Sequence, residues 1–269
     1  MRIVYAFLLL FFLLTEFSGS VFAQRKSTEH ASKRRMRFMT SIPPDSIVRS
    51  VNFDLHFGLH TPVGTLAQRF GGFKSTGFGI FYKTHTNWLI GADGDYYFGK
   101  LVKEDSILKH IQTADGNIIA SDGQYAEIKL YGRGYFVGAK LGKVYPFTHQ
   151  NSNTGLAVCL RAGYFQHRIK ILGDADVYQL SKSYKMGYDR LTSGFSISQS
   201  IQYFHMSRNS LINYTIGLDL LEGFTQGQRA INFDTGKSGL DKRLDLLIGL
   251  KASWMLPVFI RNKNSEYTF

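Results

Sequence analysis

The sequence predicts an all-β fold, an eight-stranded antiparallel up-and-down transmembrane β-barrel preceded by an N-terminal signal peptide. Three observations predict it. Segments with the two-residue period of a β-strand recur about eight times along the chain. An apparent export signal precedes them. The connections between them alternate in length, as they do in outer-membrane barrels.

The first 23 residues have the features of a cleaved signal peptide. Arg2 supplies the positive charge, residues 3–14 form an apolar core, and small residues occupy the cleavage positions in 21–23. This apolar run is too short for a transmembrane helix, and no other segment approaches the roughly 20 apolar residues that one needs. We therefore predict a signal peptide at 1–23 and an exported protein.

Residues 24–47 form a basic segment without periodicity. Much of the formal net charge of +12 lies here, and the segment also contains Ser, Thr and the pair Pro43-Pro44. We predict a flexible periplasmic segment, with docking to an acidic partner or to lipid phosphates as the alternative. Because the chain is exported, we do not expect a nucleic-acid partner for this charge.

The first strand, residues 48–60, shows the period most clearly. One face carries apolar side chains, namely Val51, Phe53, Leu55, Phe57 and Leu59. The other face carries Asn52, Asp54, His56, Gly58 and His60. Such a strand has one face toward an apolar environment and one toward a polar environment.

Seven further strands are predicted at about 73–82, 87–98, 127–141, 155–167, 194–205, 211–224 and 244–259. The segment 127–141 is irregular. Ile128 and Leu130 fall in one phase and Tyr135 and Val137 in the other, with Gly132 and Gly134 between them. A β-bulge at these glycines would switch the phase. Cys159, the only cysteine, lies in the fifth strand and is predicted to be a small packing residue.

The lengths of the connections predict an orientation. With the N-terminus in the periplasm, the connections 61–72, 99–126, 168–193 and 225–243 become four extracellular loops, and they include the three longest. The connections 83–86 and 206–210 are short, as periplasmic turns are. The connection 142–154 is longer than this pattern predicts.

The polar face favours a membrane barrel over a secreted soluble barrel. A soluble barrel would show long charged side chains to water, but this face is mostly Gly, Ser, Asn, Thr and isolated Asp. Small polar side chains fit the filled lumen of an eight-stranded barrel. The apolar face carries aromatic residues near the strand ends, as interfacial girdles do, at Trp88, Phe98, Tyr164, Tyr203, Tyr214 and Trp254.

The C-terminal part of the chain resembles a known family. Residues 243–251 (RLDLLIGLK), then 254–257 (WMLP) and the ending 266–269 (EYTF), resemble the last strand and terminus of Bacteroidota outer-membrane β-barrel proteins. The resemblance implies a barrel at 48–260, a tail at 261–269 with terminal Phe269, and assembly by the barrel-assembly machinery. Pro257 departs from the pattern because it cannot donate a ladder hydrogen bond.

The inward-facing charges are the candidate site. We predict a lumen polar network of Asp54, His56, Asp93, Asp95, Arg161, Asp219 and Lys251, with Asp245 and Arg133 as further candidates. Buried charges are costly unless they are paired, so the expected arrangement is a salt-bridged plug. A narrow path for water or ions is the alternative.

Some outer-membrane barrels are lipid-modifying enzymes, which is the competing class. Catalysis would need His60, His167 or His110 beside a serine and a carboxylate near the extracellular rim. No HExxH, CxxC or EF-hand pattern occurs, and the run Thr235-Gly236-Lys237-Ser238 lacks the earlier glycine of a phosphate loop because that position is Ile231. We predict no cofactor and no metal.

The predicted function is a structural or interaction role of a non-enzymatic barrel in the outer membrane. The expected partners are outer-membrane lipid and lipopolysaccharide, the barrel-assembly machinery, and a protein bound by the extracellular loops, whose charges have both signs. An accessory barrel of a Bacteroidota secretion system is a further alternative.

Overall fold

The structure is a computed structural model that describes residues 36–37, 47–148, 152–173, 176–181, 184–207 and 212–260. The predicted signal peptide and the tail 261–269 lie outside these residues. Within the basic segment 24–47, Met36–Arg37 form a two-residue strand that pairs with Ile260 and Phe259.

Eight long strands form the body of the molecule. They are β1 (Ser50–Gly64), β2 (Phe73–Lys83), β3 (Trp88–Gly99), β4 (Ile128–Pro146), β5 (Gly155–Gly173), β6 (Thr192–Met206), β7 (Asn213–Gly227) and β8 (Lys242–Ile260). Each strand pairs antiparallel with the next in sequence. β8 then pairs with β1, from Asp245↔Gly64 to Phe259↔Ser50, and closes the sheet. The predicted eight-stranded antiparallel up-and-down barrel is confirmed.

The alternation along each strand separates the lumen from the outer wall. In β1 the side chains of Asn52, Asp54 and His56 are buried, whereas Phe57 and Leu59 are 57% and 61% exposed. In the middle of the wall, the exposed residues of the other strands are apolar or aromatic as well, among them Ile90, Val137, Phe195, Leu218 and Leu250. The wall therefore presents apolar surface to its surroundings and encloses polar side chains.

The predicted bulge in the fourth strand is wrong. β4 keeps one register with β5 from Ile128↔Gly173 to Pro146↔Gly155, without a shift. Ile128 and Leu130 point inward, where they pack against an apolar cluster under the loops. The apparent phase change arises because the lumen itself becomes apolar at this end. β4 also continues to Pro146, which shortens the long predicted connection 142–154 to 147–154.

The connections β1–β2, β3–β4, β5–β6 and β7–β8 lie together at one end of the barrel and form a cap with short elements of its own. These are the helix α1 (Thr65–Arg69), the 3₁₀-helices Asp105–Ile111, Tyr178–Leu180 and Tyr184–Gly187, and the strand pairs Ile118–Ile119 with Tyr125–Ala126 and Arg229–Ile231 with Ser238–Gly239. Among the described residues, no helix is long and apolar enough to cross a membrane.

The lumen is filled in three layers. Under the cap lies an apolar layer that includes Leu66, Phe70, Tyr97, Phe136, Phe165 and Leu247. At the opposite end lies a second apolar layer that includes Phe81, Leu89, Cys159, Phe204, Met206, Met255 and Phe259. The predicted packing role of Cys159 is confirmed by this position. Between the two lies a layer rich in charged side chains; the buried pair His167–Asp245 lies beside the first apolar layer, and the buried Lys83 lies beside the second.

Candidate functional site

The charged layer brings together all seven residues of the predicted lumen network. They come from five strands: Asp54 and His56 from β1, Asp93 and Asp95 from β3, Arg161 from β5, Asp219 from β7, and Lys251 from β8. None of the seven is more than 5% exposed. They meet because each occupies an inward position at a similar height in the barrel.

Arg161 is the centre of this network. Its Nη1 donates to Asp95 Oδ2 at 2.5 Å, and its Nη2 donates to both carboxylate oxygens of Asp219 at 3.0 Å. Asp93 lies at 3.4 Å from Nη1. The Ser198 hydroxyl accepts hydrogen bonds from Arg161 and donates to Asp219. One guanidinium therefore joins three carboxylates across the lumen, and such charge-assisted bonds are the stronger kind.

Asp95 connects Arg161 to the rest of the network. Lys251 Nζ donates to Asp95 Oδ2 at 3.0 Å, and His56 Nε2 lies 2.9 Å from Asp95 Oδ1. The other ring nitrogen of His56 lies 3.3 Å from Asp54. His56 thus bridges two carboxylates.

The network is close to charge balance. Four carboxylates (Asp54, Asp93, Asp95, Asp219) face three fixed cations (Arg161, Lys251 and Lys140), and His56 lies between two of the carboxylates. Buried charges need such pairing, because an unpaired one keeps its full desolvation cost. The arrangement places side chains of opposite charge against one another across the barrel.

Two members of the network were not in the predicted set. Lys140 Nζ lies 3.9 Å from Asp54 and over the ring of Phe81; it alternates with the outward residues Ala139 and Leu141, but it was not among the predicted residues. Ser198 carries no charge, so the requirement that buried charges be paired did not predict it. Conversely, Arg133 points outward and donates to the Gly132 carbonyl, so its predicted place in the lumen is wrong.

Two of the histidines considered for catalysis, His60 and His167, each contact a different polar side chain. His60 Nε2 lies 2.9 Å from the Ser75 hydroxyl. His167 Nε2 lies 2.9 Å from Asp245, which also accepts a hydrogen bond from Thr225. The rings of Tyr97 and Phe165 lie between the two pairs: Tyr97 makes edge contacts with His60 and with Phe165, and Phe165 lies tilted against His167.

The two pairs do not combine into a catalytic arrangement. The described residues place a serine with one histidine and a carboxylate with the other, and both histidines are buried. The third candidate, His110, bonds to the Tyr188 hydroxyl at 2.7 Å. A nucleophile, a base and an orienting acid therefore do not meet around any of them. Within the described ranges, no group of three or more His, Cys, Asp or Glu side chains is arranged to hold a metal ion.

An ion-pair chain ties the four loops of the cap together. Glu104 accepts from Arg69 Nε at 2.6 Å and from Arg190 Nε at 3.1 Å, and Arg190 continues to Asp234 at 2.6 Å. These residues come from four different connections, with Arg69 in α1. The sequence shows that the loops carry charge of both signs, but it does not reveal this pairing.

Glu104 is the carboxylate that joins Arg69 to Arg190 in this series of ion pairs. Burial alone would raise the pKa of Glu104, but the Arg69 and Arg190 guanidiniums outweigh burial and hold that pKa below its ordinary value. Glu104 is therefore ionised at neutral pH, and it fixes the relative positions of α1 and the third loop.

This chain has weak structural likenesses to solved proteins. No protein-family model matches the chain, and no curated protein matches its sequence. Three solved structures share 11% identity with it. One is the attachment invasion locus protein Ail of Yersinia pestis in complex with the heparin analogue sucrose octasulfate, with a TM-score of 0.36 over 77% of this chain and 97% of that chain.

The other two structures are similar in extent. Ail alone has a TM-score of 0.34 over 78% of this chain and 99% of that chain. The Neisserial surface protein A has a TM-score of 0.35 over 77% of this chain and 96% of that chain. Likenesses this weak carry no inference about function, and the fold assignment rests on the closed sheet itself.

Proposed function

We propose that this protein is an outer-membrane β-barrel with a sealed lumen, and that it has a non-enzymatic, structural or interaction role carried by the four-loop cap. The observation that carries the proposal is the inverted distribution of polarity. The middle of the wall is apolar and exposed, whereas the charged side chains at the same height lie inside and are paired.

The wall has the composition and height of a lipid-facing surface. A soluble barrel would bury its apolar side chains and expose its polar ones, and exposed apolar patches of this extent mark interaction or membrane surfaces. On β4, nine residues lie between the outward cations Arg133 and Lys143. This length matches the roughly 9–11 residues of a transmembrane β-strand.

The orientation follows from the predicted export. With the N-terminus in the periplasm, the four-loop cap lies outside the cell and the other three connections lie in the periplasm. The resemblance of the C-terminal residues to Bacteroidota barrels supports insertion by the barrel-assembly machinery. Lipid, lipopolysaccharide and a protein bound at the cap are the proposed partners.

The lumen and the histidines favour this role over its two competitors. A channel needs a continuous aqueous path, but apolar layers lie above and below the charged network. A lipid-modifying enzyme needs assembled catalytic groups near the rim, but Ser75 and Asp245 contact different histidines. A secretion-accessory role is compatible with the same sealed barrel.

The membrane assignment is tested by fractionation and heat-modifiable gel migration. Expressed with its own leader, the protein is expected in the outer-membrane fraction, and boiled and unboiled samples should migrate differently. Leu250→Arg places a charge at the middle of the wall and should cost about 2–4 kcal/mol, so less folded protein should be recovered.

Leu240→Arg is the matched control, because Leu240 is 49% exposed in a loop of the cap. This variant should insert as the native chain does. Recovery of the protein from the soluble fraction, with equal migration of boiled and unboiled samples, would refute the assignment. Equal tolerance of both arginines would also count against it.

A further inference from the structure

The outer wall of β4 and β5 changes from apolar to basic at the end near the cap. Tyr135 and Tyr164 contact each other on this wall with ring centroids 6.1 Å apart. The next outward residues toward the cap include Arg133 and Arg168, which face each other directly in the strand register, and then Lys170 opposite Tyr131. Three cations therefore follow a pair of tyrosines on the same wall.

These cations have no acidic partner among the residues that the structure describes. Arg133 donates to the carbonyl of Gly132 at 2.9 Å and stacks on the Tyr131 ring. No ion pair involves Arg168 or Lys170 within the described ranges. Like charges directly opposite each other on a sheet are destabilising, so an external anion would stabilise this pair of strands.

A groove continues from the cations along the edge of the cap. Its volume is about 550 Å³, and its lining includes Arg168, Lys170, Lys185, Met186, Asp189 and Arg229. Asp189 accepts two hydrogen bonds from Arg229, so its charge is already matched. The groove keeps an excess of positive charge from Arg168, Lys170 and Lys185.

We propose that this groove binds the phosphate of an anionic, phosphorylated lipid of the outer leaflet. The guanidinium of Arg168 and the two lysines would contact the phosphate, and Arg133 would add charge from the neighbouring strand. The acyl chains would lie along the apolar wall below, at Ala162 and Tyr164. The proposal rests on the proposed membrane location.

The position of the cluster favours a lipid over a soluble anion or an acidic protein. The cations lie just beyond the tyrosines, which is the level of lipid headgroups in a membrane barrel. Arg133, Arg168 and Lys170 also project outward from the strands of the wall, not from the loops of the cap. A ligand that meets both the basic groove and the apolar wall is amphipathic.

Native mass spectrometry of the purified full chain in detergent tests the site, with diphosphorylated lipid A as the probe. The double variant Arg168→Gln/Lys170→Gln should bind this lipid about 25-fold more weakly, since each cation near an anionic surface contributes about fivefold. The same lipid after enzymatic removal of its phosphates should bind the native chain and the variant equally weakly.

The matched control is Lys74→Gln/Lys242→Gln. It removes the same charge from outward, exposed positions near the same end of the barrel, on β2 and β8. Its lipid binding should equal that of the native chain. An equal loss in both double variants, or no loss in the first, would overturn the site.

A free anion in the groove gives a different result from a bound lipid. Displacement of the lipid by equimolar inorganic phosphate would assign the groove to a free anion and refute the lipid proposal. Heat-modifiable migration of both variants shows whether they are folded barrels. If Arg168→Gln/Lys170→Gln migrates as the native protein does and also binds the lipid equally well, the lipid site is refuted. The membrane assignment is not affected by that result.

Discussion

Arg161 is the residue on which the charged layer depends. It contacts three carboxylates at once and is only 2% exposed. The parity of its strand predicted that it faces the lumen, and the requirement for pairing predicted acidic partners. The identity of those partners follows from strand register, which the sequence period does not specify. Lys140 was not predicted for the same reason, because its alternation with the outward residues Ala139 and Leu141 gives its face but not its partner, Asp54.

Removal of the Arg161 guanidinium should destabilise the barrel strongly. Arg161→Met keeps most of the volume but leaves three buried carboxylates without their shared cation, which should cost about 3–5 kcal/mol. Urea unfolding of the protein in lipid vesicles measures this change. Adding Asp219→Asn should recover part of the loss, because it removes one of the unpaired charges.

The control for this prediction is Lys242→Met, which removes the same charge from an exposed position at the start of β8. A surface change of this kind should stay within about 0.5 kcal/mol of the native chain. If Arg161→Met unfolds at the same urea concentration as the native protein, the charged layer does not stabilise the barrel.

Strands and loops differ in how far their sequences predict them. The strands were predictable because each lies between apolar surroundings and a polar lumen, which imposes a period of two. The prediction for β4 failed at Ile128 and Leu130 because inward and outward residues exchange polarity at the end near the cap. There the inward residues belong to an apolar layer, and the outward residues include Lys129 and Arg133. The cap was not predictable, since its ion pairs join residues far apart in the chain.

The chain of ion pairs in the cap predicts a pH dependence. The lowered pKa of Glu104 means that its contribution to cap stability is fully present above its ordinary pKa of 4.5 and is lost as the pH falls through the lower value. Glu104→Gln removes that contribution at every pH. Because Glu104 is partly exposed, the effect should be about 1 kcal/mol, or roughly fivefold in the population of open loops.

Pepsin cleavage within the cap measures this population. The ratio of cleavage rates of Glu104→Gln and the native chain should be about five above pH 4.5 and should approach one as the solution is acidified. Using the ratio cancels the pH dependence of pepsin itself. A ratio of one at every pH would show that Glu104 does not stabilise the closed loops. A ratio of five at every pH would show that the effect of the substitution does not come from the ionised carboxylate.

At the scale of the whole molecule, the barrel is a closed wall around a sealed interior. The apolar layer under the cap, the ion-paired layer and the second apolar layer follow one another along the axis. Composition predicted a filled lumen because eight strands enclose little space. It did not predict the apolar layers, since Met255, Phe204 and Phe259 were not recognised as lumen residues. Function at this scale is therefore proposed for the wall and the cap, not for a pore.

Conductance of the folded protein in planar lipid bilayers tests the sealed lumen most directly. Protein verified as folded by heat-modifiable migration should insert without a stable ohmic current, because packed side chains fill the lumen on both sides of the charged layer. A reproducible, steady open state at low voltage would contradict the sealed barrel and would favour the channel hypothesis instead.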